Sequence, residues 1–335
     1  MRRTLALFKF VIAVSSFIAF STHAEPAPRE KSGEAQALLR TIQSAAQKLN
    51  YSGTFIYQQG SQVRTSRITH LVDGKNELEK LEILDGQPRE YIRSNEEVIC
   101  YVPDAKTLLV ENRVTQDVFP AIIAANADSL AEHYTIRRGA DGRVAGFDCQ
   151  SVFLEPKDDL RYGYKLWAEK STGLLLRAQT INENDSVVEQ ISFTQLTIGN
   201  IDRNRVRPSF TNTRGWRVEN AVMSHVDLSN WSVKRLPPGF RKTRELKRMV
   251  SDTQVQPGTP PTQREVSQIV YSDGLAAISV FIEPGTQSRT EGSLQQGAMN
   301  IVGKRHGEFW LTIVGEVPLT AIRQVANSIE YKPNK

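Results

Sequence analysis

The sequence predicts an α+β protein of two domains, an N-terminal open antiparallel β-barrel with helices and a smaller C-terminal antiparallel sheet with one helix. Three observations predict this fold. Short segments of alternating polarity, separated by turn residues, fill most of the 335-residue chain. Helical patterns are few, and the strand pattern fades between residues 199 and 212 before it resumes. The roughly 310 residues after the N-terminal leader are also enough for two domains with separate cores.

The leader, residues 1–24, has the pattern of a cleavable signal peptide. Its start is basic, residues 10–20 are apolar, and small residues precede the end at Ala24. A membrane anchor is the alternative, but the apolar stretch has about half of the roughly 20 residues that a spanning helix needs. We therefore expect cleavage after Ala24 and export. Loss of the three basic residues of the leader lowers the formal net charge from +5 to +2.

Residues 25–202 form the predicted barrel domain. Ala35 to Leu49 has apolar side chains at helical spacing, which predicts an amphipathic helix. Phe119 to Tyr134 predicts one or two further helices, and Asp128 is a candidate start for the second. Strands of a meander are predicted before and after this region, at 51–57, 63–71, 78–84, 89–93, 98–102, 146–154, 162–169, 174–181 and 187–198.

A long antiparallel sheet with one apolar face must close on itself, stack on a second sheet or be covered by helices. Because few helices are predicted, a curved and incompletely closed barrel with an apolar concave face fits the pattern. Alternation assigns six side chains to this candidate lipid-binding face: Tyr162, Tyr164, Leu166, Leu174, Leu176 and Phe193. Side chains that merely fill a core have the same pattern, so both interpretations remain open.

The second half of the chain predicts a linker and a smaller domain. Residues 203–220 are rich in turn formers and are the predicted linker, and residues 221–335 are the predicted α+β domain. Residues 319–329 have one apolar helical face and close the chain. Two hairpins are predicted, the first around an Asp-Gly turn: 266–271 with 276–282, and 300–304 with 309–314.

The two cysteines, Cys100 and Cys149, both lie in predicted strands. In an oxidising compartment outside the cytoplasm, an even pair favours a disulfide. Such a bridge would close a loop of about 50 residues and stabilise the fold by roughly 4 kcal/mol. A reactive thiol or a metal ligand is the alternative, but the sequence has no Cys-x-x-Cys and no histidine at ligand spacing.

Basic residues are concentrated between Arg203 and Arg248. This segment contains twelve Arg or Lys and only three Asp or Glu. Export excludes nucleic acid, so anionic lipid, lipopolysaccharide phosphates or an acidic peptide are the expected partners. A solvated basic face without a partner is the alternative. The candidate contacts for a protein partner are five residues in the last part of this segment: Arg241, Lys242, Arg244, Lys247 and Arg248.

No catalytic motif is found. The sequence has no Gly-x-Ser-x-Gly, no His-Glu-x-x-His, no phosphate-binding glycine loop and no paired-cysteine zinc pattern. The spacing of residues in the sequence does not test for a catalytic triad whose members come together only in the folded protein. The sequence therefore predicts a protein that is not an enzyme and needs neither a metal nor another cofactor.

Nine collinear motifs resemble the RseB/MucB family of regulators. Each motif is short, but together they span nearly the whole chain after the leader. They are Tyr51-Ser52-Gly53-Thr54-Phe55, Leu84-Asp85-Gly86 with Arg89-Glu90, Cys100-Tyr101-x-Pro103, Arg161-Tyr162-Gly163-Tyr164-x-Leu166-Trp167, Thr172-Gly173-Leu174-Leu175, Leu236-Pro237-Pro238-Gly239-Phe240, Tyr271-Ser272-Asp273-Gly274-Leu275-Ala276 leading into Ser279-Val280-Phe281-Ile282-Glu283-Pro284, Gln296-Gly297-Ala298-Met299-Asn300, and Val314-Gly315-Glu316-Val317-Pro318.

The resemblance implies a periplasmic protein whose first domain has the open-barrel fold of the lipoprotein carriers LolA and LolB. It also implies binding to the periplasmic part of a membrane anti-sigma factor of the RseA/MucA type, mainly through the second domain. This binding would protect the anti-sigma factor from proteolysis and keep an envelope-stress sigma factor inhibited until lipid or lipopolysaccharide releases it. A pure lipid carrier is the alternative function, and homo-oligomers remain possible.

Overall fold

The structure is a computed structural model that describes residues 28–112, 127–221, 223–251, 263–285 and 289–333. Within these residues the chain forms a 13-stranded sheet, a 7-stranded sheet and a pair of short strands. The predicted signal peptide, residues 1–24, lies outside the described residues, as does the first half of the helical prediction between Phe119 and Tyr134. The fold is therefore mostly β, with a large N-terminal sheet and a smaller C-terminal one.

The first sheet begins after a long helix, α1 (Pro28–Lys48), and a short helix, α2 (Ala127–His133), interrupts its strands. Its strands are β1 (Tyr51–Gln59), β2 (Gln62–Asp73), β3 (Asn76–Ile83), β4 (Arg89–Ser94), β5 (Glu97–Val102), β6 (Thr107–Asn112), β7 (Tyr134–Arg138), β8 (Gly142–Val144), β9 (Phe147–Pro156), β10 (Gly163–Glu169), β11 (Leu175–Ile181), β12 (Val187–Ile198) and β13 (Arg217–Ala221).

The sheet is open. Its strand order is β13-β6-β5-β4-β3-β2-β1-β12-β11-β10-β9-β7, and β8 pairs with β9. The predicted meander from β1 to β5 is confirmed as a run of sequential neighbours, and β12 returns to pair with β1. Since β13 and β7 stand at opposite ends without pairing, the described strands do not close into a ring.

Helix α1 covers one face of this sheet, which we call the helix face. The register of β10, β11 and β12 places Leu166 opposite Ala178 and Ala178 opposite Ile191, so these side chains share that face. Leu39 and Ile42 of α1 pack into the same buried cluster as Leu166 and Ala178. The apolar spacing that predicts the helix thus also supplies the surface that covers the sheet.

The segment predicted as a linker, residues 203–220, packs on the first sheet. A short 3-10 helix, Arg203–Val206, buries Val206 beside Leu71 of β2. Phe210 and Trp216 then stack around Tyr101 of β5 at centroid distances of 6.3 and 6.4 Å. Strand β13 follows and pairs in parallel with β6. This segment therefore adds its last part to the first sheet before the chain enters the second.

The second sheet has the strand order β14 (Met223–His225), β16 (Arg241–Ser251), β17 (Gln263–Ser272), β18 (Ala277–Pro284), β21 (Phe309–Gly315), β20 (Met299–His306) and β19 (Gly292–Gln296). Helix α3 (Leu319–Ala326) packs against it, and β15 (Trp231–Val233) pairs with β22 (Ile329–Tyr331). The core holds Ile278, Ile313 and Ile322, all 0% exposed.

The predicted disulfide is not formed, because Cys100 and Cys149 are both free and buried. Cys100 lies on β5 and Cys149 on β9, and seven strands separate these two in the sheet order. A disulfide requires Cβ atoms about 3.8 Å apart, which neighbouring strands can provide and these do not. Burial raises the pKa of both thiols. The stabilisation expected from a closed loop is therefore absent from this fold.

Candidate functional site

The two domains are joined through a buried arginine, Arg161, which lies just before β10. Its guanidinium donates to Asp273 Oδ2, in the turn between β17 and β18, at 2.8 Å and to the Pro238 carbonyl at 2.6 Å. It also pairs with Asp158 at 3.0 Å. The side chains of Arg161 and Asp273 are 0% and 1% exposed. Buried ion pairs stabilise only when their remaining polar atoms are satisfied, as the extra acceptors do here.

Aromatic rings enclose this junction. The Tyr134 hydroxyl donates to Asp273 Oδ2 at 3.4 Å, and the Arg161 guanidinium lies 5.4 Å from the centroid of the Tyr134 ring. Burial raises the pKa of Tyr134, and the negative charge of Asp273 raises it further. Gly239, at φ +81°, lies so close to His133 of α2 that any Cβ would collide with the imidazole ring. The domains therefore meet in a buried and closely packed contact.

A groove with a volume of about 740 Å³ opens beside this contact. One wall is formed by the end of β9, the start of β10 and the turn at residues 181–185 of the first domain. The other wall is formed by Gln295 and residues 318–320 of the second domain. We call this cleft the interdomain groove. Its volume is typical of ligand-binding pockets, which measure roughly 300–1,000 Å³.

The floor of the groove contains Asn300 and Tyr162. Asn300 is 0% exposed, and its Nδ2 donates to the Tyr162 hydroxyl oxygen at 3.0 Å and to the Val317 carbonyl at 2.9 Å. Within the described residues, Asn300 Oδ1 is buried without a hydrogen-bond partner. Burial raises the pKa of Tyr162. The floor is thus polar and only partly satisfied by the protein.

The six predicted lipid-binding residues are all buried and fall into three environments. Tyr164 and Leu166 pack under α1. Leu174, Leu176 and Phe193 belong to a neighbouring cluster. Tyr162 instead bonds to Asn300 across the two domains. All six pack against other protein side chains, as core residues do, and lipid binding by them stays a prediction.

The five predicted partner-binding residues lie together on β16. Lys242 pairs with Glu245, and Lys247 pairs with Glu265 at 2.7 Å. The Arg248 guanidinium lies 5.1 Å from the centroid of the Phe281 ring. Among the described residues no carboxylate forms a salt bridge with Arg241 or Arg244.

The rest of the basic segment does not belong to one surface. Arg203 pairs with Asp73 of β2, and Arg217 lies on β13 of the first sheet. Lys234 pairs with Glu330 of the second domain at 3.3 Å. The twelve basic residues counted in the sequence are therefore divided between both sheets. Strand β16 holds five of them, and partner binding by these five stays a prediction.

A carboxyl group with an unusual pKa lies where β12 approaches the second domain. Burial, together with the negative charge of Glu316, raises the pKa of Glu189 to about 7, while a hydrogen bond with Tyr57 opposes the shift. Glu189 Oε2 is buried without a partner among the described residues. The charge of Glu189 therefore changes near neutral pH, at a point where the domains approach each other.

Family models match both halves of the chain. Residues 34–210 match the MucB/RseB N-terminal domain, and residues 225–330 match the MucB/RseB C-terminal domain. The chain belongs to the MucB/RseB family. Since the two matches follow one another in order, the resemblance inferred from the nine short motifs is confirmed over both domains.

Relatives and solved structures agree with this assignment. The regulatory protein MucB of the sigma factor AlgU, from Pseudomonas aeruginosa, is 29% identical over 90% of this chain and 92% of its own. The sigma-E factor regulatory protein RseB of Haemophilus influenzae is 25% identical over 89% and 91%. The solved MucA/MucB complex of P. aeruginosa matches at 28% identity and a TM-score of 0.69, covering 90% of this chain and 100% of that chain.

A crystal structure of MucB alone matches at 27% identity and a TM-score of 0.63, over 90% of this chain and 99% of that chain. Within the described ranges, no helix has the length and apolar character needed to cross a bilayer. In the same ranges no group of three His, Cys, Asp or Glu side chains is arranged to hold a metal ion.

The residues that join the domains of this MucB/RseB protein were not predicted as functional from the sequence. Arg161, Asp273 and Asn300 each lie inside one of the motifs that carry the family resemblance. The sequence therefore contained a signal for them. A polar side chain inside an otherwise apolar motif needs a hydrogen-bond partner if it is buried. Their partners belong to different domains, 112 to 138 positions apart in sequence, so spacing alone does not pair them.

Proposed function

We propose that this protein is a periplasmic regulator that binds the periplasmic part of a membrane anti-sigma factor of the RseA/MucA type. One observation carries the proposal. The chain matches, over 90% of its length and at a TM-score of 0.68, MucB from a crystal structure of MucB in complex with MucA(peri). At 28% identity the match includes both domains, which supports a shared partner.

Bound in this way, the protein shields the anti-sigma factor from the protease that makes the first cut, and the envelope-stress sigma factor stays inhibited. Lipid or lipopolysaccharide bound in the first domain releases the anti-sigma factor. A ligand produces such release only through different affinities for the free and partner-bound forms. Support for a lipid-responsive domain comes from the apolar helix face, although its side chains are packed in the described state.

We also propose that the first domain is an open barrel of the LolA/LolB type and that the protein acts by binding, without catalysis. The open sheet covered by α1 supports the barrel assignment. For the domain boundary, we propose the connection between β13 and β14, because β13 is hydrogen-bonded to β6 of the first sheet. Export to the periplasm is supported by the predicted signal peptide.

The lipid carrier remains the rival function. A carrier of that kind needs only the barrel, whereas here a second domain is fixed to it through a fully buried ion pair. This contact favours a protein whose two domains act together.

The decisive experiment titrates the purified protein with the periplasmic segment of the organism's own anti-sigma factor, with and without lipopolysaccharide. Tight binding that lipopolysaccharide weakens is the expected result. Lipopolysaccharide binding with no affinity for the segment would establish the carrier instead.

A further inference from the structure

The two domains have a further contact, in which the turn between β19 and β20 packs against β1 and β12. A Cβ at Gly297 would collide with Gln59 Cγ and lie 3.1 Å from the Val188 carbonyl oxygen. Beside it, Gln296 Nε2 donates to Gln62 Oε1 at 3.4 Å. We call this region the turn contact. Because only glycine fits at its centre, the backbones of the two domains approach closely here.

Glu189 of β12 brings a carboxyl group into the turn contact. It follows Val188, and it lies opposite Gln59 of β1 and the uncharged Thr180 of β11. Among the described residues no Arg, Lys or His forms a salt bridge with Glu189, and its Oε2 is buried without a hydrogen-bond partner. An ionised carboxylate enclosed in this way loses hydration that the protein does not replace. The closed contact therefore suits the protonated carboxyl group better.

The groups around Glu189 do not compensate a negative charge. Tyr57 of β1 forms a hydrogen bond with it, and the exposed Glu316 of the second domain adds a like charge. Arg64 of β2 lies opposite Tyr57 but is exposed, and it forms no salt bridge within the described part of the chain. Burial raises the pKa of Tyr164 of β10, and the charges of Glu316 and Glu189 add to this effect. Both carboxylates thus act on the same surroundings although they belong to different domains.

Protonation of Glu189 is linked to closure of the turn contact. Burial, and then the charge of Glu316, raise the pKa of Glu189 to about 7. In an open contact water would reach the carboxyl group, and its pKa would return towards the ordinary value of 4.5. The closed contact therefore binds the proton more tightly. Closure is favoured at low pH and is lost as the pH rises through about 7.

The contact at Arg161 has no such uncompensated charge. Asp273 pairs with Arg161 at 2.8 Å, so these two side chains hold the domains together independently of Glu189. The interdomain groove is lined by Arg161 and by Gln295, which is next to Gln296 of the turn contact. If the turn contact alone opens, the domains pivot about the buried ion pair. The width of the groove then changes.

We propose that Glu189 and Glu316 form a proton-controlled latch between the domains, in which protonation closes the turn contact and ionisation opens it and widens the interdomain groove. Because the two carboxylates belong to different domains, a change of charge acts directly on the distance between the domains. The latch does not depend on which molecule the protein binds.

Spin labels on Val63→Cys and Leu294→Cys measure the state of the latch. These positions lie on different domains, near Gln62 and Gln296, and are 57% and 61% exposed. The native cysteines are buried, so the parent chain should take up no label. Pulsed electron spin resonance should find one short distance at pH 5.5 and an additional longer one at pH 8.5. We expect the closed-to-open ratio to fall by about 10-fold, allowing for the partial exposure of Glu189.

Three substitutions in the labelled protein test the assignment. Glu189→Gln cannot ionise and should keep the short distance at both pH values. Glu316→Gln removes the like charge and should make the fall smaller; because Glu316 is exposed, this variant tests the latch even if Glu189→Gln is destabilised. Glu96→Gln, in the exposed turn between β4 and β5, is the matched control and should retain the full fall. Thermal unfolding shows which variants are folded.

Three results would overturn the proposal. The first is a distance in the wild type that does not change with pH. The second is a full fall that persists in Glu189→Gln and Glu316→Gln, which would assign the pH dependence to other groups. The third is the longer distance at both pH values in folded Glu189→Gln, because glutamine is the neutral counterpart of the protonated group.

Discussion

Single residues in this protein take their properties from contacts that the folded chain creates. Glu189 is an ordinary glutamate in sequence, yet its pKa reaches about 7 because burial and the charge of Glu316 oppose its ionisation. Arg161 is one arginine among many, yet it is fully buried and holds two domains together. Cys100 and Cys149 are free although their number and compartment favour a bridge. In each case the deciding neighbours are distant in sequence.

The raised pKa of Glu189 makes stability depend on pH. Its pKa is about 7 in the folded protein against 4.5 for a free glutamate, so the folded state binds the proton more tightly. The resulting stabilisation is fully present below 4.5 and is lost as the pH rises through 7. We expect the free energy of unfolding to fall by on the order of 1–2 kcal/mol between pH 5 and pH 8, allowing for solvent screening of this partly exposed group.

Urea denaturation of Glu189→Gln at both pH values measures this contribution, because glutamine cannot ionise. The fall in stability should be smaller in Glu189→Gln by that amount. Glu183→Gln, in the exposed turn before β12, is the control and should retain the full fall. An unchanged pH dependence in Glu189→Gln would show that other groups cause it.

The free cysteines give a second prediction. A reducing agent should leave the melting temperature of the folded protein unchanged within about 1 °C, since no bridge constrains the unfolded chain. Thermal unfolding with and without dithiothreitol measures this, and mass spectrometry after alkylation under denaturing conditions should find two modified thiols without prior reduction. A fall of several degrees on reduction would mean that a bridge forms in the exported protein.

At the scale of elements, the sequence predicts those strands and helices whose pattern is local. Helix α1, strands β1 to β5 and the hairpin of β17 and β18 follow from apolar spacing and turn residues. Strand β13 was missed, because it has no alternation of its own and exists through parallel pairing with the distant β6. The final helix was predicted to reach residue 329 but ends at Ala326, where Ile329 pairs with Val233 of β15.

The candidate site, too, was predicted only in the part that depends on a local pattern. The five basic residues of β16 were predicted from charge density, and they do share one strand. The interdomain groove was not predicted, because its walls come from two domains and its floor from a contact between Tyr162 and Asn300. Patterns of alternation describe one strand at a time and carry no information on which strands of another domain will face it.

Strand β16 yields a prediction about partner binding. Arg241→Glu combined with Arg244→Glu should weaken binding of the anti-sigma segment by about 10-fold or more at low salt and flatten its salt dependence, because both guanidinium groups lack an ion pair within the described chain. Titrations at several salt concentrations measure this. Lys234→Glu combined with Lys332→Glu changes the net charge equally away from β16 and is the control. If the control weakens binding as much, overall charge and not β16 is responsible.

In the described residues the two large sheets are coupled through buried contacts, which include the Arg161–Asp273 ion pair and the Tyr162–Asn300 hydrogen bond. Arg161 contributes a guanidinium from the first domain, and Asp273 and Pro238 receive it from the second. A ligand in the first domain can influence a partner on the second only if the domains move or stiffen together. The groove beside this contact is lined by both domains, so any change in their relative position alters its width. The buried ion pair is therefore the structural basis expected for communication between lipid and partner.

Arg161→Met tests this coupling. The substitution leaves the Asp273 carboxylate buried without its cation, and removing one partner of such a pair destabilises proteins by about 3–5 kcal/mol. Lys165→Met breaks the exposed pair with Asp185 and should change stability by no more than about 1 kcal/mol. We expect calorimetry to show one unfolding transition for the wild type and for Lys165→Met. For Arg161→Met we expect two separated transitions, since each domain has its own core and loses the buried ion pair that links it to the other.

Adding Asp273→Asn to Arg161→Met distinguishes loss of coupling from simple charge burial. Asparagine keeps the side-chain oxygen that accepts hydrogen bonds from the Leu275 and Ala276 amides at 2.9 Å, while the unpaired charge disappears. The double variant should therefore recover part of the lost stability but still unfold in two transitions, because the bond between domains is not restored. Lipopolysaccharide should then no longer weaken anti-sigma binding in either variant. A single transition in Arg161→Met, with release by lipopolysaccharide intact, would place the communication between domains elsewhere.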